Sequence, residues 1–208
     1  GKYLVNLDSE DEGEIFIGCA GGVDTVARYN YETEEIPEGY AFVRLEIGDL
    51  LGGHSGDDID KGRANSNKLM ARFLYNAIDK FQVVLAEFDG GNLRNAIAHE
   101  GEFVVGVPAA DKHTLVADLN KFIADVEFEF KGIEPNMTFE MASAEAPATV
   151  IDAKTAKNLI YALYCAPHGV IAMNQNIEGL TETSTNLASV KMKEDNTIVV
   201  TTSQRSLI

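Results

Sequence analysis

The segment with the clearest chemical potential is LGGHSGDDIDKGRANSNKLMARFL, residues 51–74, in which glycines flank a histidine. Gly52, Gly53 and Gly56 permit a tight turn that holds the His54 imidazole away from a sheet edge. From there the ring can donate to a substrate carbonyl oxygen and stabilise the negative charge that develops on it. A loop histidine between glycines also occurs as a structural or solvated residue, so spacing alone leaves both interpretations open.

The serine that follows this histidine is a poor candidate for a nucleophile. Ser55 does not lie in a GxSxG elbow, and no acidic partner is indicated nearby. The sequence therefore disfavours a serine hydrolase.

A second segment, YLVNLDSEDEGEIFIGCAGG at residues 3–22, places Asp8 at the end of a short apolar strand. A carboxylate at a sheet edge is well placed to bind a metal ion. Further acidic residues follow it, and such a run, taken alone, is usually a solvated acidic turn. The four histidines show no HxH or HExxH spacing, so the sequence does not assemble a complete metal centre.

Two arginines are candidates for binding a carboxylate. Arg94 precedes Asn95 in the loop GGNLRNAIAHEG, and Arg205 lies in the terminal SQRSLI. A guanidinium group can hold a carboxylate through two parallel hydrogen bonds, so either arginine could bind a peptide C-terminus. In a chain this acidic, either could instead balance nearby carboxylates.

The elements that must position these residues follow from the apolar pattern. Short segments rich in β-branched and aromatic residues predict strands at Ile15–Cys19, Ala41–Ile47, Val83–Phe88, Glu102–Val107, Met137–Met141, Leu187–Met192 and Thr197–Thr202, with a weaker one near Val170–Met173. One-sided apolar patterns predict three helices, which begin after Asn65 or Ser66, after Asp111, and at the Asp152 cap. The third helix is expected to end before Pro167.

The order of these elements indicates an α+β fold. Two split βαβ (ferredoxin-like) halves, at about 40–133 and 134–204, would share an antiparallel sheet with helices packed on one face. Both ends of the chain look like strands or connectors that stop abruptly, which suggests a piece of a larger protein.

Composition excludes several classes of protein. The 208 residues carry a formal charge of −16, and a field of this sign repels phosphate backbones, so nucleic-acid binding is disfavoured. No apolar run reaches the roughly 18 residues that a membrane span needs, and the opening GKYLVNLDSE lacks the basic region and apolar stretch typical of a signal peptide. Cys19 and Cys165 lie among apolar neighbours and are predicted to be buried free thiols, as expected in the cytoplasm.

A resemblance to a known family is carried by five segments taken in order: LDSEDEGEIFIGCAGG, GGHSGDDIDKGRANSNKLMARFL, GGNLRNAI, GLTETSTNLASV and SQRSLI. Together they resemble the middle of an Xaa-His dipeptidase, also called an aminoacyl-histidine dipeptidase. This family belongs to the two-zinc aminoacylase and carboxypeptidase superfamily. The resemblance covers essentially the whole chain and is more specific than any single motif.

The resemblance implies a lid, or dimerisation, domain inserted into a catalytic domain. Residues 1–20 would be a connector that ends in a metal-ligand strand, 21–197 the lid, and 198–208 a return strand toward the catalytic domain. Ala98 departs from the family pattern, because many relatives have proline there.

The resemblance also implies roles for single residues. Asp8 matches the last metal-binding carboxylate before the lid, and His54 matches the lid histidine that approaches the scissile carbonyl. Asn95 matches an asparagine that helps hold the substrate, and Arg205 matches the arginine that binds the substrate carboxylate. The other metal ligands and the glutamate base would lie outside this chain.

The implied reaction of the intact protein is hydrolysis of Xaa-His dipeptides by a zinc-bridged hydroxide. The partners would be the dipeptide, the catalytic domain of the same polypeptide and a second copy in a homodimer. The fragment alone is expected to be inactive and to bind zinc only weakly. One alternative is a dimerisation module with no direct catalytic contribution. Another is a free-standing small-molecule-binding domain, which would require a closed pocket.

Overall fold

A computed structural model describes residues Lys2, Tyr3, Val5, Gly13 and 18–208. In this part of the chain the strands are β1 (Gly21–Asn30), β2 (Thr33–Glu34), β3 (Tyr40–Gly48), β4 (Val84–Gly90), β5 (Gly101–Pro108), β6 (Thr138–Ala144), β7 (Val150–Ile151), β8 (Gly169–Met173), β9 (Thr181–Lys193) and β10 (Thr197–Ser206). The α-helices are α1 (Ser66–Ala77), α2 (Lys112–Phe130) and α3 (Ala153–Cys165), and Ile59–Lys61 forms a short 3-10 turn.

One antiparallel sheet organises the molecule. Its strands lie in the order β1-β10-β9-β4-β5-β3-β6, with β8 also paired to β9, and β2 pairs with β7 as a separate ribbon. The main core includes the buried faces of all three helices and one side of the sheet. The predicted α+β fold, an antiparallel sheet with helices on one face, is therefore confirmed.

The first half is a complete split βαβ unit, β3-α1-β4-β5-α2-β6, with its strands in the order β4-β5-β3-β6. The strand predicted near Met137–Met141 was assigned to the second half, but it is β6 and pairs with β3 from Gly48↔Thr138 to Phe42↔Ala144. By strand pairing the first half therefore extends to residue 144, beyond the expected boundary near 133. The amino-acid pattern indicates a strand, whereas its partner depends on the fold.

The second half is simpler than expected: one helix, α3, is followed by the antiparallel strands β8, β9 and β10, and β1 from the start of the chain is added beside β10. β10 pairs with β1 along its whole length, from Thr197↔Asn30 to Ser206↔Gly21. The stretch interpreted as a return strand, 198–208, thus belongs to the sheet as far as Ser206. β1 was not predicted, because its sequence GGVDTVARYN is mostly exposed and lacks a regular apolar alternation.

The helix starts follow the predicted caps. The Asn65 side chain accepts a hydrogen bond from the Lys68 amide at 3.1 Å, and Asp152 accepts one from the Thr155 amide at 2.9 Å. These bonds satisfy amide groups that a helix N-terminus leaves without an internal partner. α3 ends at Cys165, before the proline that was expected to stop it.

The prediction for the cysteines was wrong in one respect. Cys19 and Cys165 are free, but both are exposed. Cys165 comes two residues after the buried Leu163, and two residues turn a helix by about 200°, which places the thiol off the buried stripe. The strand predicted at Ile15–Cys19 lies mostly outside the described residues. No helix in the described part of the chain is long and apolar enough to span a membrane.

Candidate functional site

The loop that carries His54 joins β3 to α1 and is closed at its base by one buried carboxylate. Glu134, which follows α2, is only 4% exposed. Its Oε2 accepts a hydrogen bond from the Leu51 amide at 2.7 Å, and its Oε1 accepts one from the Ala64 amide at 2.8 Å. One side chain thus holds together the two ends of a 51–64 loop.

The histidine backbone is fixed by a second carboxylate inside this loop. Asp58 Oδ2 accepts from the His54 amide at 2.7 Å, and Asp58 Oδ1 lies 3.2 Å from Arg63 Nη2. A hydrogen bond from Lys61 and the bond from the His54 amide hold the pKa of Asp58 below its usual value. Gly53 has a φ of 115°, and a Cβ there would lie 2.2 Å from Arg63 Nη1, so the predicted glycine turn is required at this position.

A second loop, residues 91–100, pairs with the histidine loop like a short strand. The Ser55 amide donates to the Asn95 carbonyl at 2.8 Å, and the Ile97 amide donates to the Gly53 carbonyl at 2.9 Å. His54 lies between these two bonds, so its backbone is held on both sides. The Asn95 side chain is exposed beside this ladder.

The second loop is anchored to the second half of the molecule. Asn186, buried on β9, donates through Nδ2 to the Ala96 carbonyl at 2.8 Å and to the Arg94 carbonyl at 3.3 Å. The Arg94 guanidinium forms an ion pair at 2.6 Å with Asp24 on β1, and this contact holds the pKa of Asp24 below its usual value. Arg94 is thus paired with a carboxylate of its own chain, in keeping with the charge-balancing interpretation.

His54 and Arg205, separated by 151 positions in sequence, meet where the two halves face each other. His54 Nε2 lies 3.4 Å from Arg205 Nη2, and His54 Nδ1 lies 2.7 Å from Asp57 Oδ2. The ring is thus flanked by the Asp57 carboxylate on its Nδ1 side and by the Arg205 guanidinium on its Nε2 side. The His54 side chain is 38% exposed, so a ligand can reach the ring.

The structure thus brings together three of the four residues singled out from the sequence: His54 and Arg205 through their side chains, and Asn95 through its backbone bond to the neighbour of His54. The fourth, Asp8, lies outside the described residues. Among the residues that are described, no group of three His, Cys, Asp or Glu side chains is arranged to hold a metal ion.

The positioning residues Glu134 and Asn186 were not identified from the sequence. Glu134 lies in a stretch, KGIEP, that was interpreted only as a boundary between periodic segments. Asn186 lies in the segment GLTETSTNLASV, which contributed to the family resemblance but to which no contact could be assigned. No local signal distinguishes them, because their partners lie more than 65 residues away along the chain.

His168 is a partly buried residue without a predicted role. Burial, with a smaller contribution from Lys68, lowers its pKa to about 4. Its Nδ1 lies 3.3 Å from the Leu187 amide, which donates to it, and 3.4 Å from Asn65 Nδ2. The ring is therefore neutral at pH 7 and joins the start of α1 to β9.

Comparison with known proteins agrees with this geometry. Residues 45–134 match the family described as the peptidase dimerisation domain. The chain is 36% identical over 193 residues to the cytosol non-specific dipeptidase of Escherichia coli K12, covering 93% of this chain and 40% of that protein. The crystal structure of the aminoacylhistidine dipeptidase from Vibrio alginolyticus matches with a TM-score of 0.91 and 37% identity, over 97% of this chain and 41% of that one.

The chain thus spans about two fifths of the length of the relatives it matches. The match includes both halves of the sheet and both loops of the site, since it covers nearly all of the described residues. The resemblance recognised in the sequence is therefore confirmed: this chain is similar along nearly its whole length to a segment of the aminoacylhistidine dipeptidases, and it carries a match to the peptidase dimerisation domain.

Proposed function

We propose that this chain is the lid domain of a cytosolic metallo-dipeptidase that hydrolyses Xaa-His dipeptides. The observation that carries the proposal is the meeting of His54 and Arg205 at 3.4 Å, in a chain 37% identical to an aminoacylhistidine dipeptidase. The cytoplasmic assignment is supported by the name of the Escherichia coli relative, a cytosol dipeptidase.

In this proposal His54 binds the oxygen of the scissile carbonyl. Its backbone is fixed by Asp58 and by the neighbouring ladder, so the imidazole needs little reorganisation when charge develops on the oxygen. Its partial exposure leaves the ring accessible to a substrate. In the bound state Nε2 would carry a proton and donate a hydrogen bond to the substrate oxygen, in place of its contact with Arg205.

Arg205 binds the C-terminal carboxylate of the substrate. Its Nη2 contacts His54, while the other guanidinium donors remain available for a carboxylate. Asn95 is assigned a supporting contact to the substrate, because its amide is exposed on the loop paired with the histidine loop. Together the three groups would fix the carbonyl of the peptide bond being cleaved and the C-terminal carboxylate of the substrate.

The intact protein is expected to use two zinc ions or another divalent metal, with Asp8 as one ligand. The described residues do not fit such a centre, since no three metal-binding side chains converge among them. The roles proposed here for His54, Asn95 and Arg205 are therefore those of substrate binding. The chain alone is expected to be inactive and to bind zinc weakly.

The test is dipeptide hydrolysis with zinc or manganese supplied, measured on this chain and on a longer chain that includes the flanking segments present in the relatives. We expect turnover only with the longer chain, because the remaining catalytic groups would lie in those segments. Turnover by this chain alone would place the catalytic centre within it and overturn the proposal.

A second candidate function, dimerisation without a direct catalytic contribution, is favoured by the family match at residues 45–134. Substitution of His54 and Arg205 by alanine in the longer chain separates the two. If turnover is lost while assembly is retained, the lid contributes to catalysis. If turnover is unchanged, the dimerisation function alone remains.

A further inference from the structure

A cavity of about 450 Å³ lies where the two halves of the molecule meet, and neither His54 nor Arg205 lines it. Its walls come from the end of the histidine loop, from α1 and from the end of α2 in the first half. The second half contributes the end of α3 and the start of β8. A volume of this size is typical of sites for small molecules. The cavity is therefore a second concave surface, separate from the site proposed for the dipeptide.

One part of the cavity is apolar. Ile59 and Leu69 line it and are only 5% and 3% exposed. The rings of Phe130 and Tyr164 line it as well and remain partly accessible, as does Val170. Covering these groups with an apolar ligand would remove nonpolar surface from water. This part of the cavity suits an apolar or aromatic body.

A partly buried cation lies beside this apolar surface. Lys68 Nζ donates to three carbonyl oxygens at the end of α3, those of Leu163 at 2.9 Å, Tyr164 at 2.6 Å and Ala166 at 2.7 Å. Carbonyl groups carry only partial charges, so these contacts satisfy the ammonium hydrogens but do not balance the unit positive charge. Although the chain is acidic overall, Lys68 makes this cavity locally attractive to an anion.

Two other side chains can donate hydrogen bonds to such an anion. The Leu187 amide donates to His168 Nδ1 at 3.3 Å, so the neutral ring carries its proton on Nε2. The His168 ring lines the cavity, and Nε2 has no hydrogen-bond partner among the residues that the structure describes. Arg72 pairs through Nη1 with Glu129 at 2.9 Å, which leaves its other guanidinium donors for a ligand.

The carboxylates that line the cavity oppose an anion only weakly. Asp60 and Glu129 are both exposed to solvent, and Glu129 is already paired with Arg72. Water and salt screen exposed charges more effectively than they screen the partly buried charge of Lys68. The electrostatic balance therefore favours one negative charge placed near Lys68.

The cavity shares a wall with the support of the His54 backbone. Arg63 lines the cavity and donates through Nη1 to the Gly52 carbonyl at 2.7 Å. Its Nη2 lies 3.2 Å from Asp58, the carboxylate that accepts the His54 amide. A ligand in contact with Arg63 would therefore alter the surroundings of the histidine loop.

We propose that this cavity binds a small carboxylate with an apolar or aromatic body and that its occupancy is transmitted to the His54 loop through Arg63. The carboxylate accepts hydrogen bonds from His168 Nε2 and from Arg72, while Lys68 supplies an unbalanced positive charge. The body of the ligand packs against the Phe130 and Tyr164 rings. This site goes beyond the proposed function, in which the dipeptide carboxylate is assigned to Arg205.

The test is a titration of the chain with 3-phenylpropionate, followed by isothermal titration calorimetry. We expect saturable binding with a dissociation constant of about 1 mM or below. The neutral analogue 3-phenylpropanamide keeps the shape of the probe but lacks its charge, and it should bind about tenfold more weakly. In nuclear magnetic resonance spectra, 3-phenylpropionate should shift the amide signals of Gly52 and His54.

Variants locate the bound probe. Lys68→Gln keeps donors for the α3 carbonyls but removes the charge, and Arg72→Gln removes the guanidinium. Each should weaken binding roughly tenfold, because a charge-assisted contact is lost. Arg28→Gln, at an exposed arginine on β1 that does not line the cavity, is the matched control and should leave binding unchanged. Far-UV circular dichroism checks each fold, and Arg72→Gln keeps the test decisive if Lys68→Gln does not fold.

The other outcomes overturn the proposal at distinct points. Absence of saturable binding, or equal binding of the amide, overturns a site for carboxylates. Binding that survives both cavity variants but is lost in Arg205→Ala places the probe at the proposed substrate site instead. Unshifted Gly52 and His54 signals overturn the transmission through Arg63. Binding by this chain but not by the longer chain overturns the site in the intact protein. The hydrolysis experiment is independent of all these results.

Discussion

At the scale of single residues, the imidazole of His54 lies between an anion and a cation. Asp57 Oδ2 is 2.7 Å from Nδ1, and Arg205 Nη2 is 3.4 Å from Nε2. The carboxylate lies on the Nδ1 side of the ring, and the guanidinium adds positive potential on the Nε2 side, where a substrate oxygen would bind. The two side chains should therefore contribute to different kinetic constants.

In the longer chain, His54→Ala is expected to lower kcat about 10²- to 10³-fold, because a donor to the developing oxyanion is lost. Arg205→Ala should act mainly on KM, raising it on the order of 10- to 100-fold, since a charge-assisted contact to the substrate carboxylate is worth about 1.5–3 kcal/mol. Steady-state kinetics on an Xaa-His dipeptide measures both effects. His113→Ala, on the exposed face of α2, is the matched control. An unchanged kcat in His54→Ala would contradict the assigned role.

His168 makes the stability of the fold depend on pH. Its folded-state pKa of about 4 lies below the ordinary value of 6.5, so between these pH values the unfolded chain binds a proton that the folded chain does not. The contribution of the neutral His168 ring to the free energy of unfolding is complete above about pH 6.5 and is lost as the pH falls toward 4. It amounts to about 3 kcal/mol.

Urea unfolding between pH 4 and 7 measures this dependence. His168→Asn keeps an acceptor near the Leu187 amide but cannot be protonated, so the free energy of unfolding should change less with pH. The same slope in the variant and in the unmodified chain would show that other groups cause it.

At the scale of elements, the loop at 51–64 depends on a contact that closes it rather than on its own sequence. Glu134 Oε1 and Oε2 each accept one backbone amide, from Ala64 and Leu51. A buried carboxylate with two such bonds makes the loop a closed unit attached to the end of α2. The glycines allow the turn, and Glu134 fixes where it points.

Glu134→Gln tests this closure with little change in volume. A glutamine offers one carbonyl oxygen in place of two carboxylate oxygens, so one of the two amides loses its acceptor, at a cost of about 1–3 kcal/mol. Hydrogen exchange at Leu51 or Ala64 should accelerate, and the urea midpoint should fall. Glu145→Gln, at an exposed glutamate, is the control and should change neither quantity. If both amides still exchange slowly in Glu134→Gln, Glu134 does not close the loop.

Whether a contact could be predicted depended mainly on how far apart its two residues lie along the chain. Helix starts at Asn65 and Asp152 were predictable because cap and apolar stripe lie within a few residues of each other. The sequence pattern made His54 and Arg205 candidates and the family resemblance gave them roles, whereas neither predicted the contact between them. Glu134 and Asn186 bond to groups between 70 and 92 positions away, which only the folded chain brings near.

At the scale of the whole molecule, strand pairing between the two halves of the sheet in the described part of the chain consists of one residue pair of β4 and β9, Gly90↔Val190. Close packing continues at the next residue, where a Cβ on Gly91 would lie 1.9 Å from the Ala188 carbonyl oxygen. Gly91 also has a φ of 63°, a conformation that side-chain-bearing residues adopt with strain. The junction therefore depends on a glycine.

Gly91→Ala should lower the free energy of unfolding by about 1–3 kcal/mol or more, because backbone must shift to admit the methyl group. Urea unfolding measures the change. Gly132→Ala is the matched control, since a Cβ there would meet nothing within 4 Å, and it should be nearly neutral. If the two variants are equally stable, the backbone at Gly91 can shift to admit the methyl group without lowering the free energy of unfolding.

The junction also bears on which peptides the proposed site accepts. The histidine loop belongs to the first half and Arg205 to β10 in the second, so the span between the carbonyl contact and the carboxylate contact follows from how the halves meet. That span sets the number of backbone atoms a substrate can place between the two groups. Selectivity for peptide length would then be a property of the packing at Gly90 and Gly91, and substitutions there would alter it while both binding residues stay the same.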